Sequence, residues 1–550
     1  MKAAELLVKC LEEEGVEFVF GVPGEENADF VLALADSEAI RFVLTRHEQG
    51  AAFMAEVYGR LTGNPAVCLG TLGPGATNLV TGVADGNMDH APMLVLTGQG
   101  ATSRLHKESH QIMDVVRMFR PVTKWSTSLI RGDNVPEVVR KAVRVARSEK
   151  PGAVHIELPE DIAEAPTRAR PLTVKRYRRP APDPAAVEEA VARLRAARSP
   201  VIIAGNGCIR TRASASLRRF CERTGIGVLS TFMAKGAVDL DAPYCLFTIG
   251  LSQKDLPARA VDEADLVITL GFDMVEYHPH LWNPEGNKPI VHADFVPAEI
   301  DAHFQPDVEL VGDLSATLDA LTRALGDASL PAWDFATQAA VRATMLEEFA
   351  RHADDDTEGT IRPQKALADL RAVLGPEDVV LSDVGAHKLW VARHYHCHEP
   401  NTCLIPNGFC SMGFALPGAV AACLVHPDRR IVAVCGDGGF LMNVQEMETA
   451  VRLGVSPTVL LWEDGGYGLI SWKQEDEFGR SSPLAFGNPD WLRLAESFGW
   501  NGHRVERSRD LRGVLERAVA EDGPSLVVMP VDYRENPLLT KRLGRIEPRL

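Results

Sequence analysis

The sequence predicts an α/β protein built from three doubly wound parallel-sheet domains. Short β-rich runs alternate with helical patterns along nearly the whole chain, the rhythm of parallel sheets wrapped by helices. Two stretches, near residues 166–184 and 354–359, break that rhythm. The chain has 550 residues, more than one hydrophobic core supports at roughly 150 residues per domain. Its 45% hydrophobic and 24% charged residues, with 45 glycines, describe a turn-rich globular protein and not a disordered one.

In the first unit, residues 1–165, FVF, RFVLT, AVCLGTL and PMLVLTG read as strands, with helices near 26–36, over 48–62 and after Gly75. It closes near IELPEDI (156–162). Residues 166–184 carry prolines and a basic run without an apolar period, and are assigned as an extended linker with solvated arginines. The second unit, 185–335, opens with a helix over 185–197 and strand PVIIAGNG, continues through ADLVITLG (264–271) and PIVHADF (289–295), and ends in a helical pattern over 314–352. Residues 336–360, with the acidic run DDDTEG, are assigned as a second linker. The third unit, 361–535, runs from a helix over 363–374 through strands DVVLSDVG, RIVAVC, PTVLLW and SLVVMPVDY, leaving 536–550 as a tail. The first and third units share length class and alternation, which suggests two related layers flanking a middle one.

A formal charge of −17 disfavours a nucleic-acid backbone or an anionic membrane as the main partner. The opening helix is interrupted by Glu12, Glu13 and Glu14, so it reads as neither a signal peptide nor a membrane span. Ten scattered cysteines without a CxxC pair read as reduced, and the expected location is cytoplasmic.

Gly436, Asp437 and Gly438 directly follow strand RIVAVC, with Gly439 and a helical segment after them. Glycines at such a turn let the backbone approach a diphosphate, and the helix N-terminus offers free N–H groups to its charge. Asp437 is a hard oxygen ligand suited to Mg²⁺. A second strand, PTVLLW, ends at Glu463-Asp464-Gly465-Gly466-Tyr467-Gly468, with 24 residues (439 to 462) in between. Strand, helix and strand bring both turns to one sheet edge, where Asp437, Asp464 and the Gly466 carbonyl supply half of an octahedral site. A lone GDG is a common turn; the pair at this spacing is specific. It resembles the thiamine-diphosphate fingerprint, from which Glu463 departs by replacing the usual first Asn.

Far upstream, TRHEQGAAFMAEVYGRLTG places Glu48 at the start of a helix whose inner turns carry Gly50, Ala51, Ala52 and Ala55. Alone, Glu48 reads as a first-turn acid favoured by the helix dipole. In families with this motif the equivalent glutamate meets N1′ of the thiamine aminopyrimidine. A carboxyl in a water-poor site there can hold or share a proton and so promote loss of the thiazolium C2 proton. The same resemblance covers nearly the full chain. It implies cofactor contacts at Pro23, Gly24, Gly73, Pro74, Asn78, Ala386, His387, Cys410, Met412, Tyr467, Gly468 and Leu469, with His387 facing the diphosphate and Met412 propping the bent cofactor. The three units then correspond to pyrimidine-binding, central and diphosphate-binding domains.

Within thiamine-diphosphate enzymes the chain resembles the acetolactate synthase family, in its catabolic, flavin-independent form, along GFDMVEYHPHLWN (271–283), HADFVPAEID (292–301) and FQPDVELVGD (304–313). Where biosynthetic members carry Arg-Phe-Asp-Asp-Arg for FAD, this chain has Gly271-Phe272-Asp273-Met274-Val275, so FAD is expected to be absent. The glycines of AGNG (204–207) read as a vestigial turn. Ser109-His110-Gln111 resembles the substrate segment, which implies catalytic roles for His110 and Gln111; His110 alone reads equally as a surface histidine. Glu25 and Glu26 stand where relatives have smaller or neutral residues. His394-Tyr395-His396-Cys397-His398 offers metal-binding side chains but reads as a surface strand.

The resemblance implies decarboxylation of pyruvate and transfer of its two-carbon unit to a second pyruvate, giving 2-acetolactate. It also implies a site shared between subunits, hence a homodimer at least and a tetramer by family habit. The alternatives are another 2-keto acid decarboxylase or carboligase on this scaffold, or a catalytically silent cofactor-binding subunit. A flavin or nicotinamide oxidoreductase would need a complete dinucleotide turn.

Overall fold

In the computed structural model, residues 1–175, 178–251, 255–326 and 330–541 are described. They form three six-stranded sheets. The first contains β1 (Phe18–Gly21), β2 (Arg41–Leu44), β3 (Ala66–Gly70), β4 (Met93–Gln99), β5 (Trp125–Ser128) and β6 (Ala153–Pro159), in the order β2-β1-β3-β4-β6-β5. The second contains β7 (Pro200–Ala204), β8 (Val228–Ser230), β9 (Cys245–Thr248), β10 (Leu266–Leu270), β11 (Ile290–Asp294) and β12 (Val308–Val311), in the order β12-β11-β10-β7-β8-β9. The third contains β13 (Val379–Ser382), β14 (Cys403–Leu404), β15 (Ile431–Gly436), β16 (Thr458–Glu463), β17 (Asn501–Arg504) and β18 (Ser525–Pro530), in the order β14-β13-β15-β16-β18-β17. All pairings within these sheets are parallel. The first and third sheets therefore share one strand order, while the middle sheet has the dinucleotide-fold order. Central strands such as β3, β4, β7, β10 and β15 are buried on both faces, which is why they read as continuous apolar runs.

Three assignments differ from the structure. Residues 336–350 of the second linker form a helix, Ala336–Ala350, that buries Gln338, Val341 and Met345 on the middle domain. The five-residue histidine stretch is not a surface strand: His394 ends the helix Ala386–His394, and His394, Tyr395 and Cys397 are buried. One contact accounts for the burial of the histidines. Phe349 of the first helix packs its ring 5.5 Å from His394 and 4.0 Å from His396, closing the middle domain onto the third. The apolar partner of the histidine stretch lies on a helix packed against another domain, so its burial does not show in local periodicity. Finally, the tail begins with a short helix, Asn536–Lys541, anchored by a 2.7 Å bond from Trp390 Nε1 to Asn536 Oδ1. Residues 542–550 of the tail and 176–177 of the first linker lie outside the described residues. Among the described residues no helix is long and apolar enough to cross a membrane.

The first and third domains pack through the helices Glu48–Thr62 and Ala415–Val425. Phe53 meets Phe414 edge-on at 5.8 Å, while Ala52 lies against Gly82 of the helix Pro74–Met88. A Cβ on Gly418 would come within 2.9 Å of Val57 and Leu381. At the N-terminal end of this contact Glu446 reaches across, accepting the Arg46 and His47 N–H groups at 3.1 Å and the Thr449 hydroxyl at 2.6 Å. Gly50 is small because that carboxylate lies 2.7 Å from where its Cβ would be.

Burial raises the Glu446 pKa from 4.5 to about 7. Its contribution to stability is therefore complete below pH 4.5 and is lost as pH rises through about 7. Glu446→Gln keeps an acceptor and cannot ionise. Relative to wild type, the variant should gain apparent melting temperature between pH 5.5 and 8, by about 3 °C or more. Thermal denaturation at the two pH values checks this; a pH-independent difference would contradict it.

Candidate active site

The chain of cause in the third domain begins with β15 and β16, whose pairing sets Gly436 beside Trp462 at the carboxyl edge of the sheet. The helix Asp437–Met442 starts at the end of β15, and the acidic turn follows β16. Asp437 Oδ2 accepts from the Gly465 N–H at 2.8 Å, the Asp464 N–H at 3.2 Å and Asn488 Nδ2 at 2.8 Å. Burial and then the Asp437 carboxylate raise the Asp464 pKa to about 7. Two such carboxylates are accommodated together most readily by a divalent cation between them. Gly468 must be glycine because a Cβ would overlap Asp464 Oδ2. Glu463 does not add charge to this cleft: Trp491 Nε1 donates to it at 2.6 Å and Arg504 at 2.8 Å.

His387 forms one wall. Its ring sits against Gly385 and Gly436, where a Cβ would come within 2.8 and 3.2 Å. Burial lowers its pKa to about 4, so the ring is neutral, and Nε2 is buried without a partner. A phosphate oxygen in the cleft fits that vacancy in hydrogen bonding. One cleft gathers Ala386, His387, Met412, Gly436, Asp437, Gly438, Gly439, Asp464, Gly466, Tyr467, Gly468 and Leu469. Val384, Gly385, Ile470 and Tyr533 line it too, and Asn488 stands behind Asp437; sequence reasoning missed Ile470, Tyr533 and Asn488. Asn488 follows no strand-to-turn signal, and only the fold returns it to the site. Cys410 does not line this cleft; its thiol donates to the Asn407 carbonyl at 2.9 Å and lies 2.9 Å from Lys388 Nζ.

A second constellation lies in the first domain. Glu48 opens its helix behind the N-cap His47 and is buried, and its Oε2 accepts from Asn78 Nδ2 at 2.9 Å. Asn78 is on the helix Pro74–Met88, which begins after Gly73, held at φ 50°. A Cβ on Gly75 would stand 3.3 Å from Glu48 Oε1, so glycine keeps the carboxyl accessible there. Gln111, exposed and at φ 58°, adjoins Gly73, while His110 is exposed and its carbonyl accepts from Arg104 at 3.1 Å. Pro23 and Pro74 are exposed. Gly24 packs on Thr71, whose hydroxyl donates to Glu26 at 3.1 Å; Glu25 is exposed. None of these first-domain residues lines the third-domain cleft of the same chain.

A buried glutamate at a helix start and an acid-lined cleft at a Gly-rich turn thus lie on two sheets of equal strand order. Three family models match accordingly: the N-terminal TPP binding domain of thiamine pyrophosphate enzymes over residues 1–118, their central domain over 187–321 and their C-terminal TPP binding domain over 383–529. The chain is 37% identical to the catabolic acetolactate synthase of Raoultella terrigena, covering 98% of this chain and 97% of that one. It is 35% identical to an acetolactate synthase of Bacillus subtilis (97% and 94% covered) and 33% to a probable acetolactate synthase large subunit of Methanocaldococcus jannaschii (97% and 93%). The chain belongs to the acetolactate synthase family of thiamine pyrophosphate enzymes.

If Asp464 is a metal ligand, Asp464→Asn should weaken Mg²⁺-dependent thiamine diphosphate binding by about 10–100-fold or more. Calorimetric titration with Mg²⁺ and with EDTA reads this directly; wild-type affinity in the variant would remove Asp464 from the metal site.

Proposed function

We propose that this protein decarboxylates pyruvate and joins the two-carbon unit to a second pyruvate, forming 2-acetolactate, with thiamine diphosphate and Mg²⁺ and without FAD. The observation that carries the reading is the pair of half-sites, Glu48–Asn78 and Asp437–Asp464–His387, on a chain aligned end to end with acetolactate synthases. When bound, thiamine diphosphate supplies the electron sink that lets carbon dioxide leave a 2-keto acid. Asp437, Asp464 and the Gly466 carbonyl would hold Mg²⁺, and His387 would face the diphosphate. Met412 would support the rings. Glu48, oriented by Asn78, would hold or move a proton at the pyrimidine N1′. Gln111, beside Gly73, and His110 are the candidates for orienting the keto acid.

The flavin-independent reading is supported by the middle domain. At the switch point between β7 and β10, where this strand order places a dinucleotide, Glu276 accepts the Asn206 N–H at 2.9 Å and the Thr231 hydroxyl at 2.5 Å. Gly205 and Gly207 pack directly on Gly271. Asp273 is bonded to Arg210 at 2.9 Å and to Lys150. The chain's own carboxylates thus engage the Asn206 N–H, the Thr231 hydroxyl and Arg210 at this turn.

A homodimer is supported by the separation of the half-sites: the cleft that would hold the diphosphate has no first-domain wall within one chain. A tetramer rests on the family resemblance, and the cytoplasmic reading rests on the unpaired cysteines.

With pyruvate, Mg²⁺ and thiamine diphosphate, and no FAD, purified protein should form acetolactate, which EDTA treatment abolishes and Mg²⁺ restores. Glu48→Gln should lower kcat by about 10²–10⁴-fold. Pyruvate loss without acetolactate would assign a decarboxylase or another acceptor instead.

A shared site makes a second expectation. Glu48→Gln and Asp464→Asn proteins, each inactive, should on subunit exchange regain about a quarter of wild-type activity, because half of the dimers are mixed and each mixed dimer has one intact site. No recovery after verified exchange would place both halves in one chain.

A further inference from the structure

The segment that carries Met412 runs from the end of β14 to the helix Ala415–Val425 and makes few bonds to itself. It hangs instead on three buried carboxylates. Asp89 accepts the Asn407 N–H at 3.1 Å and the Gly408 N–H at 2.7 Å. Asp85 Oδ1 accepts the Ser411 N–H at 3.0 Å. Asp383 accepts the Gly413 N–H at 2.9 Å and the Ala415 N–H at 3.2 Å. Met412 is therefore bracketed, its preceding residue held by the first domain and its following residue by the third.

The bracket works against the backbone's own preference. Cys410 at φ 60° and Gly413 at φ 86° place left-handed residues on both sides of Met412, and a non-glycine residue holds that conformation only when its surroundings impose it. Gly408 lies so close to the first domain that a Cβ would come within 2.9 Å of the Met88 carbonyl. Asp85 itself is 0% exposed, on the helix Pro74–Met88. The same helix presents Asn78 to Glu48 one end over. Behind Asp85 lies Glu56, also fully buried, with Arg60 at 3.6 Å. Carboxyl groups of Glu56, Asp85 and Asp89 lie within 4.8 Å of one another. Buried acids this close do not all ionise; a proton kept on Glu56 leaves Asp85 free to accept.

We propose that Asp85 is a positioning residue for cofactor binding: by fixing the Ser411 amide it holds Met412 in place under the thiamine diphosphate, and so couples the first domain's Glu48-bearing frame to the third domain's cleft. This rests on the thiamine-diphosphate reading of the site.

The test uses the full-length protein and two variants. Asp85→Ala removes the acceptor, whereas Asp85→Asn keeps Oδ1 and can donate to Glu56. Calorimetric binding of thiamine diphosphate with Mg²⁺, without substrate, should show affinity about tenfold to a hundredfold weaker for Asp85→Ala and near wild type for Asp85→Asn. Hydrogen exchange on cofactor-free wild type should find the Ser411 and Gly413 amides protected. Unchanged affinity in a folded Asp85→Ala protein, equal losses in both variants, or free exchange at Ser411 would each overturn the proposal. The exchange measurement decides even if Asp85→Ala does not fold. Failure of wild type to bind thiamine diphosphate at all would overturn the functional reading itself, a result distinguishable from wild-type binding that Asp85→Ala leaves intact.

Discussion

The arrangement of the molecule depends on the close contact between the helices Glu48–Thr62 and Ala415–Val425, and on the buried carboxylates that edge it. Helices approach closely only where side chains are small; Gly418 lies against Val57 with no room for a Cβ, within one apolar cluster spanning two domains that also holds Ala51, Ala52, Ala55, Ala415, Ala419 and Ala422. The contact leaves backbone N–H groups of neighbouring turns out of reach of water. An unpaired buried N–H costs about 1–3 kcal/mol, and charged acceptors at Glu446, Asp85, Asp89 and Asp383 answer for those at Arg46, His47, Asn407, Gly408, Ser411, Gly413 and Ala415. Carboxylates used this way carry their own cost of desolvation. That cost shows as pKa values pushed upward, to about 6 for Asp383 and about 7 for Glu446 and Asp85.

The sheets explain where chemistry can sit. In parallel sheets the carboxyl ends of the strands lead into turns and helix N-termini, so polar and anionic ligands collect at that edge. Equal strand order in the first and third sheets gives two such edges of the same build. One presents Glu48 and Asn78, with Gly73 and Gly75 making room; the other presents Asp437, Asp464 and His387. The middle sheet has the order that elsewhere serves dinucleotides, and Glu276, whose pKa burial raises to about 8, sits at its switch point. The middle domain is joined to the third through Phe349, His394 and His396.

Electrostatically the third-domain cleft is poised for an ion and a diphosphate together. Asp437 accepts from four nitrogens of its own surroundings, the Gly438, Asp464 and Gly465 N–H groups and Asn488 Nδ2, which fixes its direction, while the charge of Asp464 is disfavoured by burial and by Asp437. A cation bound between them would relieve the repulsion, and a diphosphate in the cleft would supply the partner that His387 Nε2 lacks. Glu463, the departure from the usual fingerprint, is turned away and neutralised by Arg504, so it leaves this balance undisturbed.

The sequence by itself determined the fold class, the order of elements and the core of the cleft, because these depend on short-range facts: apolar runs of strand length, glycines at strand ends, and Asp437 and Asp464 at the spacing of one strand-helix-strand unit. Glu48 was legible for the same reason, as an acid opening a helix lined with small residues. What the tertiary structure decided are relations between residues far apart in the chain. Asn488 beside Asp437, Glu463 beside Arg504, Glu276 at the switch point and Asp85 under Ser411 carry no local pattern, since a hydrogen-bonded carboxylate imposes no periodicity on its own segment. The buried histidines after Arg393 were misread for the converse reason: their apolar partner Phe349 belongs to a helix packed on another domain, and burial created by that packing is invisible in the segment's own alternation.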